Sequence, residues 1–152
     1  MTPEGPRRFR ASWVLPIEGP PLRNGAVLLA PDGRLAAVGA DAAVPEPPGT
    51  NTLDLAETAL LPGLVNSHTH LELTGLDGAA PESDFPAWIR RIIELKAARS
   101  PAQFLAAARV GLRECWAAGV TTVADTGDSG AVLQALAEAG ASGIAYHEAF
   151  GP

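Results

Sequence analysis

The sequence predicts an α/β protein in which a short β-rich region precedes a parallel sheet with crossover helices. Residues 1–61 contain short apolar and β-branched runs separated by proline and glycine, which is typical of strands joined by turns. From residue 62 onward, apolar runs alternate with segments of helical periodicity, and this order favours parallel strands. We therefore divide the 152-residue chain into a region 1–61 and a region 62–152.

In the first region, strands are expected at 8–17, 25–30, 35–38 and from 52 to 55. Between the second and third strands lies Pro31-Asp32-Gly33-Arg34. An Asp-Gly pair favours a hairpin there because it tolerates positive φ angles. A sheet built from such local hairpins buries little apolar surface, so we expect it to need further strands or a partner.

In the second region, strands are expected at 64–70 and 120–125 and from 143 to 150, with helices at 85–99, from 100 to 119 and at 131–139. The second helix has a distinct start, Ser100-Pro101-Ala102-Gln103, with serine as N-cap, proline at the first helical position and glutamine at the third. Gly119 is the expected terminator of this helix, and Asp128 or Ser129 is expected to cap the third. Three aromatic residues are predicted to pack between helices and sheet: Trp88, Phe104 and Trp116.

Composition excludes several classes of function. The net charge is −6, with ten arginines and one lysine, and no basic patch indicates nucleic-acid binding. A lone cysteine, Cys115, excludes an internal disulfide framework and is expected to be a buried structural thiol. The N-terminal residues lack the apolar core of a signal peptide, and no stretch approaches 18 apolar residues. We expect a soluble, cytoplasmic protein without a membrane partner.

The residues best suited to bind a metal lie at the end of the first strand of region 62–152. Leu61-Pro62-Gly63-Leu64-Val65-Asn66-Ser67-His68-Thr69-His70-Leu71-Glu72 ends in two histidines spaced i, i+2. On an extended strand these side chains share one face, so His68 and His70 can converge on a divalent metal. If the strand continues straight, Glu72 shares that face. Only three histidines occur in the chain, so the composition alone does not explain why two of them lie at this spacing.

This string resembles the first-strand metal motif of the amidohydrolase superfamily. Within it, the string is most similar to the metal-dependent aminohydrolases, the cytosine/guanine deaminase, chlorohydrolase and aminofutalosine deaminase group. Residues 117–125 resemble the second barrel strand of that group, residues 146–151 the third, and the hairpin-containing region before residue 62 its flanking β-sandwich. The resemblance implies an incomplete TIM-like (β/α) barrel, with its first three strands at 62–152, preceded by part of a small β-sandwich at 1–61.

The resemblance also implies chemistry. One divalent metal, zinc as the expected ion and iron as the alternative, would be held by His68 and His70 and would activate a water. The implied reaction is hydrolytic deamination of a nitrogen heterocycle, so the partner is a small-molecule substrate. Substrate contact is expected from Glu72, Trp88 and Glu148, with a purely structural role as the alternative for each. His147 and Glu148 are neighbours and alternate, so one of them faces the pocket.

A barrel of this type has eight strands, and its remaining metal ligands and general acid or base come from later strands. We expect this chain to be the N-terminal part of such an enzyme, inactive alone, and we assign no catalytic residue. Asp125 is expected on the rim in a capping or loop role, and homo-oligomerisation of the full-length form is left open. Alternatives are a cyclic-amide hydrolase of the same superfamily, although Glu72 stands where the dihydroorotase branch has arginine, and a non-catalytic binding domain.

Overall fold

The computed structural model describes residues 5–149, and the chain divides into two compact units with the boundary after Pro62. The first unit is a β-sheet and the second combines strands with helices, so the fold is mixed α/β. Phe150 and Gly151, which belong to the third strand-like motif, lie outside the described residues.

The first unit contains a five-stranded sheet. Its elements are β1 (Arg7–Val14), β2 (Leu22–Leu29), β3 (Leu35–Ala40), a 3₁₀ turn (Asp41–Ala43), β4 (Asn51–Asp54) and β5 (Ala59–Leu60). The strand order is β3-β2-β1-β4, and β5 also pairs with β1. The β1–β2 and β2–β3 pairs are antiparallel, as expected of local hairpins, and the expected turn brings Gly33 to a φ of 82°.

Two pairings in this sheet differ from the expected hairpins. Strands β4 and β5 both run parallel to β1, and β5 was not predicted. Parallel strands need a connection that returns to the same end of the sheet, and the segment between β3 and β4 provides it. The first strand also ends at Val14, earlier than expected, and Ile17, the expected last residue, adopts a φ of 70°, which is incompatible with an extended strand.

A charged residue lies in the interior of this unit beside a small apolar cluster of Ala26, Leu28 and Val44. Arg8 is only 6% exposed. Its guanidinium donates to the carboxylate of Asp41 across 2.6 Å and to the backbone oxygen of the same residue across 2.7 Å. This ion pair satisfies the buried charge and joins β1 to the turn after β3.

The second unit contains a three-stranded parallel sheet. Its elements are β6 (Leu64–Thr69), a 3₁₀ turn (Leu71–Leu73), α1 (Phe85–Ala97), α2 (Pro101–Ala117), β7 (Val120–Gly127), α3 (Ala131–Ala139) and β8 (Ser142–His147). The strand order is β6-β7-β8, with both pairs parallel. The alternation of apolar strands with helical periodicity therefore predicted the correct order and direction of these elements.

The helix ends largely follow the predicted signals. The hydroxyl of Ser100 accepts from the backbone N–H of Gln103, whose side chain returns a hydrogen bond, so α2 begins with a full capping box. Gly119 follows the last turn with a φ of 80°, as a terminating glycine does. The prediction for α3 was wrong in position: Gly130 is the N-cap, and Ser129 instead accepts from the N–H of Ala131.

The core of the second unit is built from aliphatic and small side chains of α2, α3 and β7 together with the turn after β6: Leu71, Ala108, Leu112, Val123, Val132, Ala135 and Leu136. The expectation that three aromatic residues form this core was wrong. Trp116 is 43% exposed, and Trp88 and Phe104 are half-buried around a cavity described below. Small residues such as Ala108 let the helices approach closely, which leaves no room for large rings.

Cys115 packs half-buried against this core, in line with a structural thiol. Burial raises the pKa of its thiol, which keeps it protonated and unreactive at neutral pH. None of the helices within residues 5–149 is both long enough and apolar enough to cross a lipid bilayer.

Candidate metal centre

The two histidines of the motif lie at the carboxyl end of β6. His68 is on the strand and His70 follows it directly. Their ring centroids are 4.9 Å apart and the ring planes are perpendicular. His68 is exposed and His70 is half-buried. The sequence thus placed both imidazoles correctly, near each other at the edge where parallel α/β sheets bind ligands.

The ring of His70 is held by the neighbouring strand. Its Nδ1 lies 2.5 Å from the carbonyl oxygen of Thr126 on β7. A carbonyl oxygen only accepts, so Nδ1 carries a proton and donates, and in the neutral ring Nε2 then has a free lone pair. Metal-binding histidines commonly have their other ring nitrogen tied to a carbonyl in this way, which orients the ring and sets its tautomer.

The chain does not continue straight after His70. A 3₁₀ turn at Leu71–Leu73 replaces the extended strand, so the condition under which Glu72 would share the face of the two histidines is not met. The turn is capped from β7: the backbone N–H of Leu71 donates to the carboxylate of Asp125 across 2.7 Å. Strand β7 runs two residues beyond the predicted end, and this places Asp125 inside the sheet, where it is 1% exposed.

The environment of Asp125 disfavours its charge. Burial, reinforced by the nearby carboxylate of Glu72, raises the pKa of Asp125 to about 6. The hydrogen bond from Leu71 and the nearby imidazoles of His68 and His70 oppose that rise. Asp125 therefore remains partly protonated near neutral pH, unlike an ordinary exposed aspartate.

Glu72 is the acidic residue of the turn, and it is only 1% exposed. One carboxylate oxygen lies 2.9 Å from the ammonium of Lys96 on α1. The other accepts from the hydroxyl and the backbone N–H of Ser129, which follows β7. Gly127 allows this approach, since a Cβ at that position would lie 2.9 Å from the Glu72 carboxyl carbon.

Lys96 bridges two acids. Its ammonium is 2.7 Å from the Asp128 carboxylate as well as 2.9 Å from that of Glu72, and its side chain is 19% exposed. Burial alone would lower the pKa of Lys96, but its hydrogen bond to Asp128 and its ion pair with Glu72 outweigh that effect and raise it. The hydrogen bond from Lys96 correspondingly lowers the pKa of Asp128. Lys96 and Asp128 are therefore both charged at neutral pH.

A large cavity of about 950 Å³ opens beside His70. Its wall includes Trp88 and Phe85 of α1, whose rings stack with centroids 5.8 Å apart. Aliphatic residues of the same helix continue this wall, and His70 and Lys96 lie at its polar side. Trp88 was predicted either to pack in the core or to border a substrate pocket, and the structure places its ring at the cavity.

The two residues at the end of β8 point to different places. Glu148 is half-buried and lines the same cavity as His70, while its backbone N–H donates to the Gly127 oxygen across 2.9 Å. His147 is exposed and instead borders a separate small cavity with Asp125. Neighbouring residues thus alternate as expected, and Glu148 is the one on the histidine side.

The residues present fit two ligand positions of a metal centre. Two neighbouring imidazoles, one with its tautomer set by Thr126, are suitable donors for zinc or iron. Among residues 5–149, no group of three or more His, Cys, Asp or Glu side chains is arranged to hold a metal ion. A stable centre needs three or four ligands, so His68 and His70 would supply part of the set.

Sequence reasoning missed the polar residues that surround the histidines, namely Lys96, Thr126, Asp128 and Ser129. Thr126 acts through its backbone oxygen, which no side-chain pattern reveals. The one available signal was Lys96, the single lysine in a chain that otherwise uses arginine, placed on the polar side of a predicted helix. Asp128 and Ser129 were noted, but only as candidate helix caps.

Comparison with known sequences decides the family. The model of the Amidohydrolase family matches residues 59–149, which include β5, both histidines and all of the second unit's helices and strands. The chain belongs to the amidohydrolase family. That match begins close to the boundary between the two units and confirms the resemblance seen in the histidine motif.

Two curated relatives and a solved structure are similar over most of this chain. A 5-methylthioadenosine/S-adenosylhomocysteine deaminase of Halobacterium salinarum is 37% identical over 120 residues, 77% of this chain and 27% of its own length. A 5'-deoxyadenosine deaminase of Methanothrix thermoacetophila is 34% identical over 68% of this chain and 26% of its own length. The crystal structure of a zinc-bound adenosine deaminase from Xanthomonas campestris matches 90% of this chain and 32% of its own, with a TM-score of 0.78 and 25% identity. This chain therefore spans about a quarter of the length of these curated relatives.

Proposed function

We propose that the whole protein is a metal-dependent hydrolase of C–N bonds that deaminates a nitrogen heterocycle. The observation that carries this proposal is the His68–His70 pair with the His70 Nδ1–H committed to the Thr126 oxygen. This arrangement leaves Nε2 of His70 available as a metal donor and fixes the direction in which it points. Membership of the amidohydrolase family supports the same reaction class.

His68 and His70 would hold one divalent metal, with zinc as the expected ion and iron as the alternative. When bound, such an ion lowers the pKa of a coordinated water towards neutrality and so supplies a nucleophile at physiological pH. The zinc-bound deaminase that this chain resembles supports zinc. The remaining ligands and the general acid or base would come from other segments of the whole protein.

The wall of α1 is the proposed contact surface for the substrate. The stacked rings of Trp88 and Phe85 offer an apolar face that suits a flat heterocycle or an apolar substituent. Glu148 lies at the polar side of the same cavity and is proposed to contact substrate there. The carboxylate of Glu72 is occupied by Lys96 and Ser129, which favours a role in holding the turn over the substrate contact expected from the sequence.

The three parallel strands β6, β7 and β8 are proposed to be the first strands of a larger barrel. Large apolar side chains on β6 and β8 support this, since Val65 is 66% and Ile144 57% exposed and further strands would cover them. The sheet of the first unit is proposed to be part of a flanking β-sandwich. In such a barrel the histidines stand at the carboxyl ends of the strands, where active sites lie.

Metal content of the full-length protein tests this function. We expect about one equivalent of zinc or iron by elemental analysis, and loss of most of it in the His68→Ala/His70→Ala double variant. His147→Ala is the matched control, because His147 is the third histidine and is exposed at the end of β8. Retention of the metal in the double variant would contradict the proposed ligands.

The reaction is tested by ammonia release from the heterocycles named for the relatives, beginning with 5'-deoxyadenosine and 5-methylthioadenosine. We expect turnover by the metal-loaded full-length protein and a loss of at least 100-fold in kcat/KM in the His68→Ala/His70→Ala variant. Hydrolysis of cyclic amides without ammonia release from these nucleosides would instead favour the alternative within the same superfamily.

A further inference from the structure

Lys96 lies where three segments of the second unit meet. It occupies the last turn of α1, and its ammonium reaches Glu72 across 2.9 Å and Asp128 across 2.7 Å. Glu72 belongs to the turn that follows β6, and Asp128 follows β7. One ammonium thus joins a helix to the two segments that leave the carboxyl ends of neighbouring strands.

The same two segments hold His70. Its backbone leads directly into the turn that contains Glu72, and its Nδ1–H donates to the oxygen of Thr126, two residues before Asp128. Ser129 closes this ring of contacts by donating to the Glu72 carboxylate from its hydroxyl and its backbone N–H. A displacement of the turn relative to β7 would therefore lengthen the hydrogen bond that orients the His70 imidazole.

The charge of Lys96 permits this arrangement. The side chain of Glu72 is 2% exposed, and a buried carboxylate without a cation beside it would move towards solvent. Arg99 donates to the backbone oxygens of Glu72 and Thr74, across 2.6 and 3.1 Å, but it does not reach the carboxylate. Lys96 and Ser129 are the side chains that fix the carboxylate itself.

We propose that Lys96 is a positioning residue of the metal centre: through Glu72 and Asp128 it holds the turn and β7 in the register that orients His70. This inference rests on the proposed function, because it assigns His70 as a metal ligand. Lys96 itself touches neither imidazole. It acts by keeping Nε2 of His70 pointed at one place before any metal binds, and such preorganisation increases metal affinity.

Two measurements on the full-length protein test the proposal. The first is zinc affinity, from competition with a chelator. The second is the imidazole ¹⁵N NMR spectrum of the metal-free protein, which reports the tautomer of each ring; the His70 signals are those that disappear in the His70→Ala variant. In Lys96→Met we expect zinc to bind about 10-fold to 100-fold more weakly. We also expect the signature of a protonated Nδ1 in His70 to give way to a mixture of tautomers.

Matched variants separate positioning from general stability. Lys96→Arg keeps a cation between the two acids, and we expect its zinc affinity to stay within about threefold of wild type. Arg109→Met removes an ion pair with Glu138, measured at 2.6 Å between α2 and α3, and is expected to change neither readout. If Lys96→Met fails to fold, Lys96→Met/Glu72→Gln removes the buried charge as well and is expected to show the same loss of affinity.

Either of two results would overturn the proposal. One is wild-type zinc affinity with an unchanged His70 tautomer in Lys96→Met. The other is full recovery of the zinc affinity and of the tautomer in Lys96→Met/Glu72→Gln. Full recovery would mean that Lys96 only compensates the charge of Glu72. A wild-type protein that binds no zinc, or binds it equally well without His68 and His70, overturns the proposed function and the metal-centred inference together. The tautomer of His70 in the metal-free protein then still shows whether Lys96 orients the ring, so the two failures are distinguishable.

Discussion

The carboxylate of Asp125 accepts the backbone N–H of Leu71 across 2.7 Å and so fixes the first peptide after His70 to the neighbouring strand. The group is 1% exposed, so the hydrogen bond lies inside the sheet. Asp125→Ala leaves this N–H without an acceptor, and we expect a loss of roughly 1–3 kcal/mol in the free energy of unfolding. Urea unfolding of the metal-free protein at pH 5 checks this. A loss of less than a few tenths of a kcal/mol would mean that the N–H finds another acceptor.

The raised pKa of Asp125, about 6 against an ordinary 3.8, predicts a pH dependence of stability. Between those values the folded protein binds more protons than the unfolded chain, so this group makes the protein less stable as pH rises from about 4 to about 6. Its contribution over that interval is at most about 3 kcal/mol, since one pKa unit corresponds to about 1.4 kcal/mol.

Asp125→Asn isolates that contribution, because asparagine keeps an oxygen for Leu71 and cannot ionise. We expect the metal-free variant to gain stability relative to wild type as pH rises from 4 to 7, measured by urea unfolding at each pH. A constant difference between the two proteins across this range would show that Asp125 titrates normally.

A substitution at Gly127 tests how tightly the Glu72 carboxylate is held. A Cβ there would lie 2.9 Å from the Glu72 carboxyl carbon, and the carboxylate is fixed by Lys96 and Ser129. We expect Gly127→Ala to reduce the free energy of unfolding by about 1–3 kcal/mol. Gly39→Ala is the matched control, also in a strand, where the new Cβ would meet Val44 at an ordinary 3.5 Å. Equal effects of the two substitutions would show that Glu72 moves freely.

Local rules predicted those parts of the fold that local interactions determine. The capping box at Ser100, the terminating Gly119 and the Asp-Gly hairpin depend on hydrogen bonds and backbone angles within a few residues. The i, i+2 spacing likewise placed His68 and His70 together, because strand periodicity alone decides which side chains share a face.

Features that depend on tertiary packing were missed or misplaced. Strand β5 has two residues and forms only because β1 offers it a partner. The strand through His70 ends in a turn because Asp125 of β7 caps the N–H of Leu71, and this turn carries Glu72 off the histidine face. The spacing of residues along a segment does not reveal a contact between two residues that are 54 positions apart in the sequence.

Trp88 and Trp116 offer a paired test of the proposed substrate wall. Trp88 is half-buried at the cavity and stacks on Phe85, whereas Trp116 is 43% exposed on α2. If the heterocycle lies against Trp88, Trp88→Ala removes apolar contact present in both ground and transition states. KM should then rise about 10-fold while kcat stays within about twofold of wild type, which corresponds to a loss of about 1.4 kcal/mol of binding shared by ground and transition states.

Steady-state kinetics of the full-length protein measure this, and Trp116→Ala is expected to leave both constants unchanged. Equal effects of the two substitutions would place the substrate away from α1, because only Trp88 faces the cavity beside His70.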